Sequence, residues 1–76
     1  MITVKLYGLL RIESGIKEKQ LNAATVKELL DTLAGCGINP KDLSSCIILI
    51  NGTNANKRSK LTDGDTVVLM SPVAGG

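Results

Sequence analysis

The sequence predicts an α+β domain: a mixed sheet of four to five strands with one main helix packed on one face. Three observations predict it. Apolar residues alternate at the start of the chain, Ile2, Val4 and Leu6, the period of a strand with one buried face, and run unbroken from Val67 to Met70 near the finish. Between them Val26, Leu29, Leu30 and Leu33 fall at i, i+3, i+4 and i+7, a single helical stripe. Turn-forming pairs, Asn51-Gly52 and Asp63-Gly64, punctuate the second half.

The elements follow in order. Ile2 to Tyr7 is a first strand, and Gly8 breaks it. Leu9 to Glu13 reads as an irregular connection closed by Ser14-Gly15. Ile16 to Leu21 is a second strand paired with the first. Lys17 and Lys19 share parity with Leu21 there, which points to a bulge or an edge position. Thr25 followed by Glu28 is a capping box that opens the helix. Its four apolar residues contribute roughly 6–12 kcal/mol gross on burial. Gly35 or Gly37 ends it in a left-handed conformation. Asn39-Pro40 supplies an N-cap and first position for a helical turn through Leu43. Cys46 to Ile50 is a β-branched run, with a weak strand over Thr53 to Asn56 after its turn. Thr66 to Ser71 is the apolar last strand.

Composition excludes several functions. The 76 residues suffice for one domain. Nine Lys or Arg stand against seven Asp or Glu, and the aromatic content is Tyr7 alone. Only Lys57, Arg58 and Lys60 cluster, and no aromatic platform accompanies them, so no nucleic-acid partner is expected. The cluster reads as a solvated loop. Cys36 and Cys46 lack metal spacing and the chain has no histidine. A zinc site or a Cys-His pair would lack its ligands or its base. No cofactor and no metal are expected, and both cysteines read as unreactive thiols. Asp63 and Asp65 flank a turn glycine and read as turn residues rather than as a catalytic pair. No apolar run approaches membrane-spanning length and no signal peptide precedes the first strand. A cytoplasmic protein without membrane contact is the expectation.

The chemistry is expected at the far end. Ser71-Pro72-Val73-Ala74 leads to Gly75-Gly76, which divides the chain into a folded body, 1–71, and a tail, 72–76. A terminus without side chains enters a narrow active site, because nothing beyond Cα has to fit. The five residues from Pro72 to Gly76 span about 16–18 Å when extended, enough to reach a buried pocket. Pro72 restricts φ and denies one ladder hydrogen bond, so it aims the tail away from the sheet. Beside the tail, Val67 and Leu69 share one face of the last strand and Val68 and Met70 the other. If the first pair meets the helix, Val68 and Met70 are exposed, and Leu49 points the same way from a neighbouring strand. Such a patch marks a protein interface.

Three stretches carry a resemblance that covers the whole chain: Tyr7-Gly8-Leu9-Leu10-Arg11, Leu61-Thr62-Asp63-Gly64-Asp65 and Ser71-Pro72-Val73-Ala74-Gly75-Gly76. With the element order they resemble the ubiquitin-like β-grasp fold, and within it the sulfur-carrier proteins of the MoaD and ThiS group. The Pro-Val-Ala-Gly-Gly ending is similar to that of MoaD, the small subunit of molybdopterin synthase. The Asn-rich segment Thr53 to Lys57 departs from the family's crisper strand.

The resemblance implies a carrier and co-substrate rather than an enzyme. A ubiquitin-activating-type adenylyltransferase would adenylate the Gly76 carboxylate at the expense of ATP. A persulfide sulfur would then displace AMP, leaving a thiocarboxylate that donates sulfur to a pterin held by the large subunit of molybdopterin synthase. Two alternatives share the activation step: sulfur delivery to a thiazole synthase, and a protein modifier whose tail ends on a lysine. A third, a β-grasp interaction module with an inert end, does not.

Overall fold

The computed structural model describes residues 1–71. Eight elements follow in order: β1 (Ile2–Tyr7), α1 (Leu9–Ser14), β2 (Glu18–Leu21), α2 (Val26–Gly35), α3 (Pro40–Ser45), β3 (Ile47–Ile50), β4 (Thr53–Asn54) and β5 (Thr66–Met70). The strands form one sheet in the order β2-β1-β5-β3-β4. β1 and β5 run parallel at its centre, Val4 opposite Val67 and Leu6 opposite Leu69. The pairs β1–β2, β3–β5 and β3–β4 are antiparallel. A mixed five-stranded sheet with its main helix on one face agrees with the predicted class.

The alternation in β1 and β5 sets the core. Ile2, Val4, Leu6, Val67 and Leu69 are buried, as is Ile48 of β3. The α2 stripe completes that layer: Val26, Leu29, Leu30 and Leu33 are all buried in the same cluster. Leu10 of α1, Leu43 of α3, Leu21 and Ile38 close its ends.

Both termini of α2 are satisfied in ways the sequence signals in part. Thr25 Oγ1 accepts from Glu28 N–H at 3.3 Å, the first half of the capping box. The return bond from the Glu28 carboxylate does not form among the described residues. Instead, the first two helical N–H groups, those of Val26 and Lys27, donate to the Ser59 and Lys57 carbonyls at 3.0 and 3.1 Å. The Asn-rich segment and the basic loop that follows it therefore cap a helix. Asn56 shapes that loop by accepting from Arg58 N–H at 2.8 Å, and Lys57, Arg58 and Lys60 are exposed. At the other end Gly37 has φ 97°. Its N–H donates to Ala34 O at 3.2 Å while Ile38 N–H donates to Leu33 O at 3.3 Å, the paired bonds of a Schellman motif.

Six expectations need correction, two of them by one residue: β3 begins at Ile47 rather than Cys46, and β5 ends at Met70 rather than Ser71. Leu9 to Glu13 is not irregular but helical, since α1 takes in Leu9–Ser14. Six residues carry no legible stripe, and this helix is held by burial of Leu10 and by contacts from far along the chain. α3 runs on to Ser45, past Leu43. Asn39 caps it as predicted, accepting from Lys41 N–H at 2.9 Å. β2 begins at Glu18 rather than Ile16, although Leu6 N–H still donates to Lys17 O at 2.9 Å. It lies at the sheet edge, which explains its poor alternation. The weak strand after Asn51-Gly52 shrinks to Thr53–Asn54. Asn51 and Gly52 have φ 49° and 85°, the two positive values that a type I′ hairpin turn needs.

The turn before β5 is held by one carboxylate. Asp65 Oδ2 accepts from Thr62 N–H at 2.8 Å and its Oδ1 from Asn51 Nδ2 at 3.0 Å. Thr62 N–H, and then Asn51, hold the Asp65 carboxyl below the usual aspartate range. Asp63 pairs with the Met1 amino group. Both aspartates thus serve the turn, as the sequence implies.

Two outcomes follow from this packing. Leu33→Ala, at a site with 0% exposure, is expected to lower the free energy of unfolding by about 2–5 kcal/mol in urea titration. A depressed carboxyl contributes stability above its unfolded pKa and loses it as pH falls through the folded value. The melting temperature should therefore drop as pH falls below the ordinary aspartate value, and Asp65→Asn should show a smaller drop over that window.

Candidate functional site

The face of the sheet opposite α2 is built in rows. Residues paired across neighbouring strands share a face, and the registers place Tyr7, Met70 and Ile47 in one row and Lys5, Val68 and Leu49 in the next. Five apolar side chains thus stand together on β1, β5 and β3. Toward the β2 edge the same face turns polar, with Lys5 opposite Glu18 and Thr3 opposite Gln20.

The three residues expected there, Leu49, Val68 and Met70, do lie on that face while Val67 and Leu69 are buried beneath it. Their exposure is only partial. β5 is central, so each of its outward side chains is flanked on both sides by a cross-strand neighbour. The most open members of the patch are Tyr7 and Ile47, each 41% exposed, and sequence reasoning assigned neither of them to it. The signal was available: Tyr7 has the parity of Thr3 and Lys5, and Ile47 that of Leu49.

Beyond Met70 the sheet gives out. β1 ends at Tyr7 and β3 begins at Ile47, the two partners of Met70. Pro72, Val73, Ala74, Gly75 and Gly76 lie outside the described residues. Ser71 is the last one described, and its Oγ accepts from Leu9 N–H at 2.8 Å. Gly8, the N-cap of α1, has φ 66° and ψ −142° and provides no side-chain cap bond. That backbone region is nearly confined to glycine. A Cβ built on Gly8 would stand 2.3 Å from Ser71 Oγ. Leu9 and Ile12 of α1 are further exposed apolar residues, at 43% and 74%.

Other candidate chemistry is structural. Cys36 is exposed and Cys46 half-buried, both as free thiols. Burial pushes the Cys46 thiol up, and its S–H donates to Leu43 O at 3.0 Å. A hydrogen bond with Asp42, and then that residue's charge, hold the Glu13 carboxyl above the usual glutamate range. Among the described residues no group of His, Cys, Asp and Glu is placed to hold a metal ion, and no helix is long and apolar enough to cross a membrane. Cavities of about 150, 380 and 220 Å³ are each lined by residues other than the patch or Ser71. The candidate site is accordingly an open sheet face beside Ser71.

The ThiS family profile matches residues 4–76. No curated protein sequence matches the chain. Among solved structures, the chain is similar to one in the protein–protein complex of subunits 1 and 2 of molybdopterin-converting factor from Helicobacter pylori 26695. That match has 28% identity and TM-score 0.74, and it covers 99% of this chain and 97% of that one. Small archaeal modifier protein 1 from Methanosarcina acetivorans gives 28% identity and TM-score 0.84 over 99% and 95% of the two chains. A chain of the BexX/CysO complex from Amycolatopsis orientalis gives 26% and 0.74 over 100% of both.

The junction yields a stability prediction. Gly8→Ala should cost about 1–3 kcal/mol in chemical denaturation, because a side chain is strained at this φ and its Cβ displaces the Ser71 hydroxyl. An unchanged denaturation midpoint would contradict the described approach of these two residues.

Proposed function

This chain belongs to the ThiS family of small ubiquitin-like sulfur carriers, and we propose that the Gly76 carboxylate is the group it carries sulfur on. The observation that carries the reading is the family match running through residue 76. The body, 1–71, is the scaffold in this reading, and the tail, 72–76, is the working part. The chain acts as carrier and co-substrate in the cytoplasm, with the catalytic groups supplied by its partners and no cofactor of its own.

A carboxylate is a poor electrophile, because its charge is delocalised and oxide would have to leave. In the proposed sequence a ubiquitin-activating-type adenylyltransferase lets the Gly76 carboxylate attack the α-phosphate of ATP, releasing pyrophosphate. A donor persulfide then attacks the acyl carbon and expels AMP. A second donor thiol attacks the far sulfur of the acyl disulfide, so that a donor disulfide forms and a thiocarboxylate is released. The final step passes that sulfur to a pterin in molybdopterin synthesis. The likeness to a chain of molybdopterin-converting factor supports this destination over a thiazole synthase, as does the Pro72-Val73-Ala74-Gly75-Gly76 ending.

A second reading, transfer of the adenylated tail to a target lysine, is favoured by the likeness to small archaeal modifier protein 1. Both readings need a docking surface near the tail. The half-exposed Leu49, Val68 and Met70, with Tyr7 and Ile47, are proposed as that surface for the adenylyltransferase and the synthase large subunit.

Two measurements address these roles. Deleting Gly76 should abolish ATP–pyrophosphate exchange by the activating enzyme, whereas an inert interaction module would retain its binding unchanged. Met70→Asp should weaken binding to the partner roughly tenfold or more, at a cost in fold stability of about 1 kcal/mol or less. Undiminished binding would remove the sheet face from the account.

A further inference from the structure

We infer that Ser71 is a positioning residue for the tail, its hydroxyl fixing the direction in which residues 72–76 leave the body; the inference rests on the carrier reading above. Three observations meet here. The paired residues of β5 end at Met70, so Ser71 stands just past the register of the sheet. One tether extends further: Ser71 Oγ accepts from Leu9 N–H at 2.8 Å, across 62 positions in sequence. The third is the accommodation of that hydroxyl. Gly8 holds a glycine-type conformation, and any Cβ there would lie 2.3 Å from Ser71 Oγ.

The backbone chemistry of the next residue extends the effect. A residue before proline is confined to extended conformations, and the proline ring leaves φ near −65°. With Ser71 tethered, its own backbone is restricted from both sides, by the bond to the start of α1 and by the proline that follows it in the sequence. An activating enzyme must gather a tail into one conformation, and every backbone rotation already restricted lowers that entropic cost. Without the tether the search starts at Ser71 itself. The effect is expected in association rather than in the chemical step, because Ser71 lies five residues from the reacting carboxylate of Gly76. It should be modest, since the bond is exposed to water.

The test varies the carrier concentration in ATP–pyrophosphate exchange, using the ubiquitin-activating-type adenylyltransferase encoded in the same genome. Ser71→Ala is expected to raise KM for the carrier roughly two- to ten-fold, with kcat unchanged. Ser71→Thr, which keeps the hydroxyl, should restore KM. Amide hydrogen exchange of Leu9 in the free proteins reports the bond independently of activity: faster in Ser71→Ala, near wild type in Ser71→Thr. Faster exchange at Leu9 with an unchanged KM would reduce Ser71 to a helix cap and overturn the inference. Unchanged exchange at Leu9 would overturn it as well, because the tether would then be absent. A wild-type chain that supports no exchange of pyrophosphate would instead overturn the carrier reading, a separate and recognisable failure.

Discussion

The parallel ladder between β1 and β5 is the constraint on which the other features depend. It sets Val4 beside Val67 and Leu6 beside Leu69, and these four residues are at most 1% exposed. Parallel neighbours need a long crossover between them, and α2 occupies the crossover here, with its stripe turned onto the buried face. The ladder also fixes where the chain leaves the sheet. Because Tyr7 is opposite Met70, the next residues, Gly8 and Ser71, are brought together, and the start of α1 comes to lie against Ser71. One register thus specifies core, patch and exit point.

Much of this arrangement is legible in the sequence because its causes are local. The α2 stripe, the Thr25 cap, Asn51-Gly52 and Asn39-Pro40 each act over a few residues, and each appears where periodicity and turn chemistry place it. Strand parity sets Val68 and Met70 opposite Val67 and Leu69, but both pairs are apolar, and it is the register with β1 and β3 that decides which of them faces away from α2. The features that escaped have distant causes. α1 is six residues long, too short to be stable by itself. It is held by Leu10 in the core and by a hydroxyl 62 positions away. Likewise the asparagines after Gly52 weaken a strand, yet the loop that follows them satisfies the start of α2. Residues outside the described range, Pro72 to Gly76, are read from sequence and family alone.

The division of labour follows from the distribution of chemistry. Among the described residues the groups with unusual environments have local causes: Asp65 is held by Thr62 and Asn51 in its turn, Cys46 is raised by its burial, and Glu13 by the neighbouring Asp42. The sheet face toward solvent is apolar over β5 and β3 and polar toward β2. A partner that covers the apolar half stands directly beside Ser71. In the proposed account, docking and delivery are therefore neighbouring events: the patch holds the body while residues 72–76 carry the chemistry to the partner's active site.

The central claim is that the Gly76 carboxyl group is charged and emptied by other proteins. Intact-mass spectrometry of the chain after incubation with the adenylyltransferase, ATP and a persulfide donor tests it most directly. The account predicts a mass gain equal to replacement of one oxygen by sulfur, localised to the C-terminal peptide and absent when ATP is omitted. A chain that emerges unchanged, under conditions in which the same enzyme mixture converts an established sulfur carrier, would contradict it.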